Sequence, residues 1–135
     1  MAIQLSVPVR NARLDQIEVV GGVSAFLTLR TGAQPSDCVT ANSGTLVANL
    51  ALPSDWMGAA AAGAKAKAGT WSDVSADAAG TVLHFRIHEN SGVNCIAQGS
   101  VSNTGDGGDM TLDNNVVGSG QTITITTFTL TDGNA

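Results

Sequence analysis

Tyrosine is absent from this 135-residue chain, and only three Phe and two Trp stand in for it. A core must therefore be built mainly from Val, Leu, Ile and Ala. Charge is also scarce: six Lys and Arg against eleven Asp and Glu leave a net charge of −5, and no basic residue follows Arg86. Phosphate backbones are held by clustered cations. Six dispersed ones speak against nucleic acid. No apolar run approaches the twenty residues of a membrane span, and "MAIQLSVPVRNARLDQ" lacks the charged start and apolar block of an export signal. The expectation is a chain made in a cytoplasm, with no membrane partner.

Two cysteines, Cys38 and Cys95, are too few for a disulfide framework or a zinc site. Free thiols are the default in a cytoplasm, and a disulfide closed after release into an oxidising medium is the alternative. Phosphate-cradling glycine loops, nucleophile elbows and paired zinc-binding histidines are missing as well. The expectation is no enzyme, no cofactor and no metal.

What is present is Thr, Ser, Gly and Val, a composition that favours strands and turns over helices. "IQLSVPV" alternates Ile3, Leu5 and Val7 with polar residues, and Pro8 forbids a central ladder. Residues 1–10 thus read as an arm or edge strand. Residues 11–135 read as one domain. "RNARLDQIEVV" places Ala12, Ile17 and Val20 on helical spacing before the Gly21-Gly22 stop.

From Val23 onward the period is two. "SAFLTLRTG", "TLVANLALP" and "TVLHFRIHE" are strands, the last with Leu83, Phe85 and Ile87 on one side and His84, Arg86 and His88 on a side expected to face water or a partner. "NSG" turns that strand into "VNCIAQGSVS", its antiparallel partner. The expected core includes Leu29, Leu50, Leu83, Phe85, Ile87 and Ile123. In "QTITITTFTLTD" the apolar parity slips between Ile125 and Phe128. Either a bulge near Thr126 and Thr127 or a strand exchanging between sheets absorbs the slip. The fold expected is all-β, an antiparallel β-sandwich of jelly-roll or immunoglobulin-like type, with a short N-terminal helix and arm.

Three stretches invite a chemical reading. Asp106, Asp109 and Asp113 lie in a Gly-rich loop with oxygen ligands for calcium, but the spacing is not that of a calcium loop, and a wet turn explains it. His84 and His88, four apart on a strand, are about 13 Å apart and cannot share a metal ion. "DWMGAAAAGAKAKAGTW" is too poor in large apolar residues to hold a helix by packing. It reads as a connection whose small side chains allow close backbone approach to another surface, with Lys65 and Lys67 on one side of an extended chain.

"RNARLDQIE", "FLTLRTGAQP", "GTLVANLALPSDWM", "LHFRIHENSG" and "GGDMTLDNNVVGSGQTITITTFTLT" together resemble a small protein family met in tailed bacteriophages and prophages among the genes for virion parts. The likeness covers nearly the whole chain and carries over no catalytic residue. It implies a structural virion component, bound to the major capsid protein and to copies of itself as a decoration or cement protein, with a tail, neck or fibre part as the nearest variant. On that expectation Ile3, Leu5 and Val7 would augment a neighbour's sheet, while Trp56, Met57, Lys65 and Lys67 would contact a partner. A binding module for carbohydrate or another host-surface ligand, using Trp56 and Trp71, is the alternative.

Overall fold

The computed structural model describes residues 3–92 and 94–133. It is mostly β with one helix, in agreement with the all-β expectation. The helix α1 (Val7–Gly21) comes first. Among the described residues eleven short strands follow: β1 (Phe26–Arg30), β2 (Leu46–Ala51), β3 (Ala64–Ala66), β4 (Trp71–Asp73), β5 (Gly80–Thr81), β6 (His84–His88), β7 (Cys95–Asn103), β8 (Met110–Leu112), β9 (Val116–Val117), β10 (Ile123–Ile125) and β11 (Thr129–Thr131).

Of the arm or edge strand expected over residues 1–10, the described residues 3–10 form no strand, and residues 1 and 2 lie outside the described residues. Residues 3–6 are neither helix nor strand, and Val7 to Arg10 are the first turn of α1. Pro8 explains the difference. Its missing N–H costs nothing in a first helical turn, so a residue that forbids a central ladder is at home there. The helix stops as expected, with Gly22 at φ 74° and its N–H donating to the Glu18 carbonyl at 2.9 Å.

The main sheet has the order β2-β1-β6-β7-β8. Phe85 pairs with Leu29 and Gly99, so β6 lies between β1 and β7 in antiparallel register. The β6 and β7 pairing is the hairpin expected from "NSG". β8 departs from the antiparallel pattern, because Val101 to Asn103 run parallel to Met110 to Leu112 across a short connection. Asp109 helps to close it: its Oδ2 accepts from the Ser100 N–H and hydroxyl at 2.9 and 3.0 Å. Three two-stranded pairs, β10-β4, β11-β3 and β5-β9, complete the β structure.

One apolar cluster occupies the interior. Leu29, Leu50, Phe85, Ile87 and Ile123 are in it, as expected. Leu83 is not: it lies outside β6 and is about half exposed. Four aromatic rings form a chain through the cluster, Trp56 to Trp71 at 6.1 Å, Trp71 to Phe128 at 5.7 Å and Phe128 to Phe85 at 5.4 Å. The slip in the last strand is resolved by exchange of partner. β10 pairs with β4 and β11 with β3, yet Ile123, Ile125 and Phe128 enter the same cluster.

Candidate interaction surface

His84, Arg86 and His88 were expected to face water or a partner, and all three are buried. Their side of the sheet is covered by the turn-rich segment 31–45, which crosses it as a strap. Arg86 holds the strap by donating from Nη2 to the carbonyls of Asp37 and Thr40, both at 2.9 Å, and from Nη1 to Asn42 Oδ1 at 2.8 Å. Gln98 accepts from Arg86 Nε at 3.0 Å and donates to the Pro35 carbonyl at 2.8 Å. His84 Nδ1 lies 3.0 Å from the Gly32 carbonyl, and His88 Nε2 lies 3.3 Å from Thr28 Oγ1.

The strap is also tied covalently. Cys38 and Cys95 form a disulfide, with Cα atoms 5.1 Å apart, so the free-thiol default is corrected. Sequence spacing gave no hint of it, since the pair is 57 residues apart. Burial pushes both histidines below their ordinary pKa, assisted by the positive charges of Arg30 and Arg86 and opposed for His84 by its bond to Gly32. These groups tie the strap to the sheet.

The alanine and glycine segment does approach another surface closely, and that surface is α1 of the same chain. The N–H groups of Met57, Ala60 and Gly63 donate to Glu18, Asp15 and Asn11 at 3.3, 3.1 and 2.9 Å. Three backbone donors three residues apart thus meet one polar row of the helix. Lys65, only 2% exposed, reaches the same row from beneath, with Nζ 2.8 Å from Asp15 Oδ1, 3.0 Å from Glu18 Oε2 and 2.8 Å from the Gly58 carbonyl. Burial works against its charge, but the two carboxylates outweigh that and raise its pKa. The same contacts lower that of Asp15.

The residues expected at a partner interface therefore divide. Trp56 and Met57 are buried in the core, Trp56 with its Nε1 donating to the Gly22 carbonyl at 3.1 Å. Lys65 is an internal ion-pair partner, and Lys67 lies half-buried over the Trp71 ring. Trp56, Met57 and Lys65 are corrected from interface to interior, whereas Lys67 stays partly exposed. Ile3 and Val7 are exposed and Leu5 is half-buried, and none of the three is in a strand.

The exposed apolar surface is concentrated on and around the helix. Ala12, Ile17 and Val20 share helical spacing, but Leu14 and Gly21 are the buried residues of α1 and Ile17 only partly packs on the core. Gly21 sits so close to Ile96 and Trp56 that a Cβ would lie 2.7 Å from each, so the helix presses its Leu14 and Gly21 side onto the body. The opposite side carries Val9, Ala12, Val19 and Val20 into solvent. Of the ten strongly exposed large apolar side chains among the described residues, six (Ile3, Val7, Val9, Val19, Val20 and Val23) belong to the first 23 positions. Among the described residues no three His, Cys, Asp or Glu side chains converge as a metal site, and no helix is long and apolar enough to cross a membrane. No protein-family model matches the chain, and no significantly similar curated protein or solved structure is found.

Proposed function

We propose that the protein is a structural component of a tailed-bacteriophage virion, a decoration or cement protein that attaches to the outside of the head and stabilises the shell. The observation that carries this reading is the concentration of exposed large apolar side chains in residues 3–23, six of the ten among the described residues, set against a body whose two tryptophans and two histidines are buried. A cluster of exposed apolar side chains rimmed by polar residues marks a site that another molecule covers. A shell presents many identical sites, and many copies each bridging two capsid subunits add their binding energies. On this reading the curled main sheet and the three strand pairs form a sandwich of the jelly-roll or immunoglobulin-like kind, the partners are the major capsid protein and further copies of the chain, and no turnover, metal or cofactor is involved.

The carbohydrate-binding alternative needs exposed aromatic platforms. Trp56 and Trp71 are fully buried, which deprives it of both candidates. Peptide mass spectrometry of purified particles, with immunogold labelling to separate head from tail, neck or fibre, tests the reading. Many copies on the head, with heads from a deletion strain rupturing at lower temperature, are expected. Absence from purified particles would overturn it.

A further inference from the structure

An unpaired strand edge offers a row of N–H and C=O groups to any extended chain, so folded proteins block or cover their edges. Two edges here are blocked from within. On the outer edge of β2 the Asn49 N–H donates to Asp73 Oδ2 at 3.1 Å, and the Val47 carbonyl accepts from the Asp77 N–H at 2.7 Å. On the outer edge of β7 the Ser100 N–H is taken by Asp109 Oδ2 at 2.9 Å. β11 carries no such block. The Lys67 N–H donates to the Phe128 carbonyl at 2.8 Å and the Asp132 N–H to the Gly63 carbonyl at 2.9 Å, so the alternation of an antiparallel ladder turns the main-chain groups of Thr129 and Thr131 away from β3. Among the described residues no main-chain partner reaches them, and both residues are exposed. The run from Thr126 to Thr131 also lacks the charge or proline that would guard such an edge.

A second open edge borders the same space. The Val101 N–H donates to the Leu83 carbonyl at 2.9 Å, which makes Gly99 with Phe85 and Ala97 with Ile87 the hydrogen-bonded positions and turns the main chain of Gln98 outward from β6. β8 pairs only with Val101 to Asn103 and leaves Gln98 uncovered. Gln98, Thr129 and Thr131 all line one cleft of about 400 Å³, a size within the range of ligand sites. Its floor is Phe85 and Phe128, whose rings meet edge to face at 5.4 Å. Asp109 stands at its rim: Oδ2 is held by Ser100, while Oδ1 takes neither of those bonds. Among the described residues no basic side chain lines the cleft. A compact molecule can cover an apolar floor, but only an extended backbone matches donors and acceptors that recur at strand spacing along both walls.

We propose that this cleft receives an extended peptide segment of a partner protein, which adds a strand to β11, turns an apolar side chain onto Phe85 and Phe128 and sets a basic residue beside Asp109. Main-chain bonds supply the affinity in this mode, and the alternate side chains supply the selectivity. Three residues of β11 span about 10 Å, so about three guest residues pair with it. The net charge of −5 draws a basic segment and repels an acidic one. The virion reading only names the partner, as a segment of the shell; the cleft stands on its own geometry.

NMR titration of the full-length chain with acetyl-Thr-Val-Thr-Val-Lys-amide, and with acetyl-Lys-Val-Thr-Val-Thr-amide for the opposite strand direction, reads the pairing residue by residue. At least one peptide should shift the amides of Gln98, Thr129 and Thr131 saturably and slow their hydrogen exchange. The same peptide N-methylated along its main chain should bind about tenfold or more weakly, since its donors are gone. Replacing its lysine by glutamate should also weaken it, and Asp109→Asn should erase that preference. Thr129→Pro removes only an outward donor, so it should keep the wild-type circular dichroism and weaken binding. Failure of both peptides to give saturable shifts, shifts confined to other residues, or equal binding by the N-methylated peptide would overturn the proposal. Concentration-dependent protection of Thr129 and Thr131 without peptide would also overturn it, by making the guest a second copy. A chain abundant on particles whose cleft ignores the peptides would refute the cleft alone, and peptide binding by a chain absent from particles would refute the virion reading alone.

Discussion

The outer side of β6 and the outer side of α1 carry inverted chemistry. β6 offers His84, Arg86 and His88, and all are buried; α1 offers Val9, Val19 and Val20, and all are exposed. The difference lies in what covers each. The strap over β6 and Gln98 on β7 together supply carbonyl and amide oxygens to Arg86 Nε, Nη1 and Nη2, so the buried charge is solvated by protein. The described residues leave Val9, Val19 and Val20 exposed. A polar side is buried because its lid is internal, and on the virion reading the lid of the apolar side belongs to another molecule.

The comparison breaks most severely at Arg86. Arg86→Ala would leave the carbonyls of Asp37 and Thr40 and the side chains of Asn42 and Gln98 without their donor, at a cost on the order of 3 kcal/mol or more in urea denaturation. Opening the disulfide attacks the same lid from its other anchor. Cys38→Ser with Cys95→Ser, or reduction of the native protein, should cost about 2 to 4 kcal/mol, read as a lower melting temperature. If the strap is only decoration, both losses will be small.

Acid sharpens the contrast more gently. The folded chain holds His84 and His88 below their usual pKa of about 6.5, so the unfolded chain takes up protons first. The stability they protect is complete above that value and declines as pH falls through 6.5 toward the folded values. Melting temperature should therefore drop on acidification from pH 7.5 to about 5.5, and His84→Gln with His88→Gln should flatten that slope. The smallest effect belongs to the helix. Val19→Asp in the monomer should change stability by no more than about 0.5 kcal/mol. A larger change would mean that α1 presents its valines to its own body.

The strand register around β6 was readable from the sequence because alternation alone places Phe85 and Ile87 on one side and because "NSG" marks the turn into β7. The polar side was misjudged for a physical reason: alternation says that two sides differ, and only the path of a distant segment says whether the polar one is covered. The same limit applies to α1. Ala12 and Val20 do share helical spacing, but Leu14 and Gly21 win the core because a glycine admits closer approach to Trp56 and Ile96 than any larger residue could. The role of 57–63 was half visible. Small residues announced close packing, and Asn11, Asp15 and Glu18, spaced four and three apart, were the signal that would have named the acceptor. The parallel β7 and β8 pairing had no sequence mark beyond its glycines, since parallel neighbours ordinarily need a longer crossover.

Carbene footprinting of the full-length chain, in dilute solution and on purified particles, addresses the central claim most directly, because it reports side-chain exposure residue by residue. The account predicts that Val9, Ala12, Val19 and Val20 label strongly when dilute and lose their label on particles, while His84, Arg86 and His88 stay unlabelled throughout. Valines that label equally in both states, or histidines that label in the dilute chain, would contradict it.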